Sequence, residues 1–313
     1  MKTPIATEEK SPSWTSGKAP VAVVMISLNE AHNMGAVLDN ISGWAQEVFL
    51  VDSFSTDDTV DIALSKGVHV VQRSFQGFGD QWNYAVNELP INAPWTMKLD
   101  PDERLTPELK SSIEKAIADD ASDAVLVQRS LWFMGARMAV RQNILRLWRT
   151  GTCRFSDVEV NEHPIVSGRE FLVDGDLEHR DSPNLHHWFE KQNRYTTVEA
   201  AMAVRGDKLS IQPNLFGTAL ARRMWLKNIY KHIPFRHLLM FLYCYLWLGA
   251  WRAGRVGFIW ARLRSAVFIM IDHKSEEMRI LGDVYSPPPA IRGDPHPGAV
   301  QAEGNVNSDM NGI

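Results

Sequence analysis

Trp95-Thr96-Met97-Lys98-Leu99-Asp100-Pro101-Asp102-Glu103 is the stretch whose reading decides the fold. An apolar run ends abruptly in three carboxylates, two of them at i and i+2. If Thr96 to Leu99 form a buried strand, Asp100 and Asp102 fall just past its C-terminal end. There a proline stiffens the turn, and two oxygen ligands can converge on one hard divalent cation. Ligands of open α/β sheets bind at that edge. A solvated acidic turn leading into a helix at Thr106-Pro107-Glu108 is the plainer reading of these residues alone, because D-x-D is a weak pattern. The flanking sequence decides between the two.

Upstream, Val21-Ala22-Val23-Val24-Met25-Ile26-Ser27 is a continuous apolar run, as expected of a strand buried on both faces. It ends in Leu28-Asn29-Glu30, and an amphipathic helix follows to about Ile41. A second run, Glu47 to Val51, ends in Asp52-Ser53-Phe54-Ser55-Thr56-Asp57-Asp58. The next helix, Thr59 to Lys66, stops at Gly67. Val68 to Val71 make a third strand, and a helix carrying Gln81, Asn83 and Tyr84 leads back to Trp95. This β-α-β-α-β-α-β alternation predicts a mostly parallel sheet with helices on both faces. Asn29, Glu30, Asp52 and Asp100 then line one edge of it, where carboxylates suit ribose hydroxyls, a base N–H or a metal. No P-loop or G-x-G-x-x-G element follows a strand, so those phosphate-binding readings lose their main support.

The bulk numbers narrow the class. The 313 residues are 45% apolar and 22% charged, ordinary for a globular chain with a sizeable core. A net charge of −4 argues against nucleic acid as a partner. Two cysteines, Cys153 and Cys244, imply no disulfide framework and fit a reducing compartment. The first twenty residues hold no apolar core of a secretory signal, so a cytoplasmic location is the expectation.

From about Asn214 the character changes. Between Ala219 and Arg279 eleven Lys and Arg residues face only Asp272, Glu276 and Glu277. Arg222-Arg223-Met224-Trp225-Leu226-Lys227-Asn228-Ile229-Tyr230-Lys231 mixes cations and rings at helical spacing, as in a helix lying in a membrane interface. Leu238 to Ala250 is thirteen residues without a charge, too short to span a bilayer as a helix. Two or three amphipathic helices docking on the cytoplasmic leaflet account for this composition. A buried helical subdomain or a homodimer interface accounts for it as well. The tail after Tyr285, rich in Pro and Gly, reads as disordered.

Taken together, Ile26 to Glu30, Val51 to Thr59, Gly79-Asp80-Gln81-Trp82-Asn83 and Lys98 to Glu103 stand in the order and spacing of a family 2 glycosyltransferase, which the chain resembles over roughly residues 20 to 105. More narrowly it is similar to bacterial enzymes that glucosylate the heptose of the lipopolysaccharide inner core, with relatives in exopolysaccharide assembly. That likeness rests on Arg129, Trp132-Phe133-Met134-Gly135, Arg146-Leu147-Trp148, Val160-Asn161-Glu162, Leu177-Glu178-His179 and Lys191-Gln192-Asn193-Arg194-Tyr195. Those enzymes usually read Val-His-Glu where this chain has Val160-Asn161-Glu162.

The resemblance implies an α/β fold of the GT-A (nucleotide-diphospho-sugar transferase) type and an inverting, metal-dependent transfer of a hexose, glucose first, from a UDP-sugar. It implies that Asp52 takes the uracil, with Asn29, Glu30, Ser53, Asp57, Gln81, Asn83 and Asp100 on the donor side. Asp100 and Asp102 hold Mg2+ or Mn2+ against the diphosphate. The base that takes the acceptor proton is Glu162, with Asp157 and Glu159 as alternatives, and Arg129, Trp132 and His179 belong to the acceptor or diphosphate side. The implied acceptor is a lipid-linked saccharide of lipopolysaccharide core or exopolysaccharide, met at the inner face of the plasma membrane. Transfer to polyprenyl phosphate itself and a non-catalytic sugar-nucleotide-binding scaffold are the competing readings. The expected organisation is a disordered 1–19, a catalytic domain at 20–213 (donor half 20–105, acceptor half 106–213), a membrane-associated helical region at 214–284 and a disordered tail at 285–313.

Overall fold

The structure, a computed structural model, describes residues 13–120, 122–156, 163–206, 233 and 235–302. It divides into two compact units. The first holds residues 1–127, 143–177 and 291–313, the second 128–142 and 178–290. These cuts differ from the sequence division at 213/214. Three of them, after Val127, Gln142 and Leu177, fall inside strands where nothing in the sequence marks a boundary, and the fourth lies between Ala290 and Ile291.

The first unit is built on β1 (Ala19–Ser27), β2 (Ala45–Asp52), β3 (His69–Gln72) and β4 (Trp95–Lys98). β2 and β4 flank β1 in parallel, and β3 adds to β2 in parallel. β5 (Glu103–Leu105), β6 (Ala124–Phe133), β7 (Ala136–Arg149) and β10 (Glu170–Arg180) extend the sheet, β7 running antiparallel to β4. β8 (Cys153–Phe155) and β9 (Pro164–Val166) form a separate antiparallel pair. Among the described residues, with β11 (Val300–Gln301), the large sheet has nine strands in the order β11-β3-β2-β1-β4-β7-β6-β10-β5. The parallel β-α-β alternation is the one expected.

Alternation along β1 explains the two cores. Val21, Val23 and Met25 point to one face, where they meet Met34, Val37, Leu38 and Ile41 of α1 (Ala31–Ile41), Val60 and Ala63 of α2 (Thr59–Ser65), and Leu109 and Ile113 of α4 (Pro107–Ala118). Ala22 and Val24 point to the other, under Trp82, Ala85 and Val86 of α3 (Phe78–Asn87) and Phe155 of β8. A strand with helices on both sides has no polar face, and this is why it reads as an unbroken apolar run. Two of the helix ends are set locally. The Thr106 hydroxyl accepts from the Leu109 N–H with Pro107 at the first helical position, and Gly67 takes φ +73° after α2.

Two segments expected to be disordered are placed on the first unit. Trp14 packs on the core and its Nε1 donates to the Ala45 carbonyl at 3.1 Å. At the other end β11 pairs in parallel with β3, matching Val300 to Val71 and Gln301 to Gln72. Two ladder residues leave no periodic signature, so a Pro- and Gly-rich composition outweighed them in the sequence.

The second unit is helical beyond its strand segments. α5 (Leu185–Arg205) is followed, after undescribed residues, by α6 (Arg236–Leu242), a π-helical turn over Tyr243–Trp247, a 3-10 turn over Ala250–Ala253 and α7 (Gly254–Leu281). Gly249, at φ +72°, falls next to last in the thirteen-residue uncharged run and separates its helical turns from the 3-10 turn that begins at Ala250. Among the described residues no helix is long and apolar enough to cross a membrane. Arg222 to Lys231 lie outside the described residues.

Candidate active site

Three parallel strands carry one polar side chain each to the same level. Ser27 pairs with Asp52 and Asp52 with Gln72 across β1, β2 and β3. Asp52 is completely buried. Its Oδ1 accepts from the Ser27 hydroxyl at 2.9 Å and from the Ser55 hydroxyl. Its Oδ2 accepts from the Ser55 N–H at 2.9 Å and from Gln72 Nε2 at 3.0 Å. Four donors thus stand around a carboxylate that offers about four acceptor positions.

The loops beyond these strands are tied to one another. Asn29 adopts φ +59°, which asparagine tolerates, and its Oδ1 accepts from the Thr56 N–H at 2.7 Å while its own N–H donates to the Ser55 hydroxyl. Asp57 accepts from the Ala31 N–H at 3.0 Å, so a carboxylate from the second loop caps the helix that follows the first strand. Glu30 takes the Asn33 amide at 2.8 Å. Ser53 accepts from Gln81 Nε2 at 3.2 Å, and Gln81 Oε1 accepts from Arg73, which also pairs with Asp80 and lies over the Tyr84 ring. Asn83 faces β8. Its Nδ2 donates to the Phe155 carbonyl and its Oδ1 accepts from the Phe155 N–H at 2.7 Å.

The acidic turn lies between β4 and β5. Arg146, on β7, donates to Asp100 Oδ2 at 2.7 Å and to Glu103 Oε1 at 2.5 Å. Its side chain is 7% exposed and that of Glu103 not at all, whereas that of Asp100 is about a third exposed. Burial pulls the pKa of Arg146 down, but Glu103 and Asp100 more than offset this and hold it above its ordinary value. Arg104 closes the turn by donating to the carbonyls of Pro101, Glu103 and Asn33. Asp102 is buried on the same turn. Lys98 extends over the rings of Trp82 at 4.2 Å and Phe155 at 5.3 Å. Burial pushes the neighbouring Cys153 thiol up to about 12. Gln72, Glu103 and Lys98 went unassigned in the sequence, since nothing local distinguishes a partner supplied by a distant strand.

The second unit holds Arg129, Trp132 and His179. Arg129 donates to Gln142 at 3.0 Å across the β6–β7 hairpin, whose tip is Met134 and Gly135, both at positive φ. The Arg180 guanidinium lies 5.2 Å from the Trp132 ring centre, and Phe133 meets Trp188 edge to face. His179 is half-buried on β10. Asp157, Glu159 and Glu162 lie outside the described residues.

Residues 22–229 match the family model described as glycosyl transferase family 2. The chain belongs to that family. It is 28% identical over 269 residues to a lipopolysaccharide core biosynthesis glycosyltransferase, LpsC, of Rhizobium meliloti, covering 81% of this chain and 90% of that one. A glycosyltransferase of Rickettsia prowazekii is 25% identical over 207 residues, 61% of this chain and 70% of its own. Among solved structures, a mannosyltransferase from Pyrobaculum calidifontis in complex with GDP-Man and Mn2+ aligns over 84% of this chain and 90% of that chain, at 16% identity and a TM-score of 0.47.

Proposed function

We propose that this glycosyltransferase moves a hexose, glucose in the first instance, from a UDP-sugar to a lipid-anchored saccharide, with inversion at the anomeric carbon. The observation that carries the proposal is the convergence of the family's donor-half residues at the C-terminal ends of neighbouring parallel strands. Ser27 and Asp52 stand at one level, and Asp100 and Asp102 stand on the turn that leaves the adjoining strand. The uracil is assigned to Asp52, with Asn29 and Glu30 at the nucleoside.

Two carboxylates on a proline-stiffened turn, one of them partly exposed, are the hard oxygen set that Mg2+ or Mn2+ takes. Such a cation, when bound, would act as a Lewis acid on the departing diphosphate. The chain's own contribution is to hold the turn. Arg146 and Arg104 fix its backbone and carboxylates from within the first unit. Glu162, with Asp157 and Glu159 as alternatives, is assigned the proton of the acceptor hydroxyl. Arg129, Trp132 and His179 are assigned to the acceptor or diphosphate side.

The likeness to a lipopolysaccharide core enzyme over most of both chains supports a cell-envelope saccharide as acceptor. The second unit supports a surface location. Phe235 and Trp247 are each 82% exposed, and Leu238, Leu239, Leu242, Tyr243, Leu246 and Trp251 are exposed along the same stretch from Phe235 to Arg252. Apolar and aromatic side chains flanked by cations suit the headgroup region of an anionic inner leaflet. Calorimetry of UDP binding with and without Mn2+ tests the donor assignment. Binding that requires the metal is expected, and equal binding without it would remove Asp100 and Asp102 from the site.

A further inference from the structure

The segment Ile291 to Ala302 carries no part of the family's pattern, yet it is seated against the strand tips that the donor reading uses. The Gly293 N–H donates to the Phe54 carbonyl at 2.8 Å, in the loop that leaves Asp52. Phe54 itself sits at φ +61°, uncommon for a bulky residue. Two residues before β11, the Gly298 N–H donates to His296 Nδ1 at 3.1 Å, and His296 Nε2 lies 3.0 Å from Asp61. Arg292 lies over the Phe75 ring.

Gln72 joins the segment to Asp52. Its Oε1 accepts from the His296 N–H at 2.6 Å and from Gln301 Nε2 at 3.3 Å. Its Nε2 donates to Asp52 Oδ2 at 3.0 Å. Its backbone carbonyl accepts from the Ala302 N–H at 3.0 Å. One amide group is therefore shared between the C-terminal segment and the carboxylate to which the uracil is assigned.

Resting on the UDP-sugar reading, we infer that residues 291–302 form a latch that competes with the nucleotide for Asp52. Four donors fill the acceptor positions of that carboxylate. A uracil N–H reaches it by displacing one of them. Ser55 holds the carboxylate through both its N–H and its hydroxyl, and Gln72 is the donor already shared with residues 291–302, so Gln72 is the one that gives way. When its amide turns from Asp52, the geometry that receives His296 and Gln301 turns with it. Nucleotide binding and latch seating are then antagonistic, and by linkage each weakens the other by the same factor. One exchanged hydrogen bond sets that factor at about five-fold.

The test is amide hydrogen exchange of the full chain with and without UDP and Mn2+, beside calorimetry of UDP. Exchange at Gly293, His296 and Ala302 is expected to rise about five-fold at saturating UDP and to stay unchanged with Mn2+ alone. His296→Ala combined with Gln301→Ala removes the ring contacts to Asp61 and Gly298 and the Gln301 bond to Gln72, keeps the His296 backbone N–H, and touches no residue assigned to donor or metal. That variant is expected to bind UDP about five-fold more tightly. UDP binding that leaves exchange in 291–302 unchanged, or that weakens in the double variant, overturns the latch and leaves the donor assignment standing. Absence of UDP binding in both proteins overturns the donor assignment, and the latch falls with it.

Discussion

Arg146 is the residue on which the acidic turn depends. Its guanidinium is buried between Glu103 and Asp100, and Glu103 has no exposed side-chain surface. Removing one member of a buried pair strands the other charge, at a cost of about 3–5 kcal/mol. Arg146→Leu is therefore expected to lower the free energy of unfolding by that amount in a denaturant titration, and a loss below about 1 kcal/mol would show the pair to be dispensable. The placement of Asp52, Asp100 and Asp102 at the ends of strands was legible because its signal is local: a carboxylate at the end of an apolar run. Arg146 and Glu103 stand 43 positions apart. No spacing rule in the sequence links them, and the pair exists only once β7 lies beside β4. Gln72 is of the same kind, an ordinary strand-end amide until Asp52 and the C-terminal segment meet it.

Among the elements, α3 shows how a polar helix position can serve packing between segments. Asn83 matches the family's donor-side pattern, and its amide here makes two hydrogen bonds to the backbone of Phe155. Trp82, one position earlier, stacks on the Phe155 ring. Asn83→Ala leaves a partly buried N–H and C=O without that partner, a cost of about 1–3 kcal/mol. Thermal unfolding should register it, with UDP affinity changed less than two-fold. Loss of UDP affinity at an unchanged melting temperature would instead assign Asn83 to the donor. β1 to β4 and the helices between them could be read from the sequence because their apolar periodicity agrees with their tertiary place. β11 could not, since it owes its existence to the exposed edge of β3.

At the scale of the molecule, the two units have different surfaces. The first holds two buried apolar clusters, one on either side of the sheet. The second leaves a run of them exposed on α6 and the turns that follow, beside Arg236 and Arg252. Leu246→Asp combined with Trp247→Asp removes two such anchors, each worth about 1.5–3 kcal/mol if buried in lipid. Co-sedimentation with vesicles containing anionic lipid is expected to fall at least about ten-fold, and binding of the unaltered chain should weaken with added salt. Equal sedimentation of variant and unaltered chain would place the exposed run elsewhere than in the bilayer. Charge asymmetry announced this region in the sequence. Its division from the rest did not show, because three of the four cuts between the units fall within strands whose pattern is continuous.

The central claim is that the strand tips and the acidic turn form a metal-dependent nucleotide-sugar site. Its most direct test is release of UDP from UDP-glucose by the purified chain without acceptor, with and without Mn2+, beside Asp102→Asn. Release that requires Mn2+ and drops at least about a hundred-fold in the variant is the expected result, as loss of several kcal/mol of charge stabilisation demands. Release that persists without the metal, or that survives unchanged in Asp102→Asn, would contradict it.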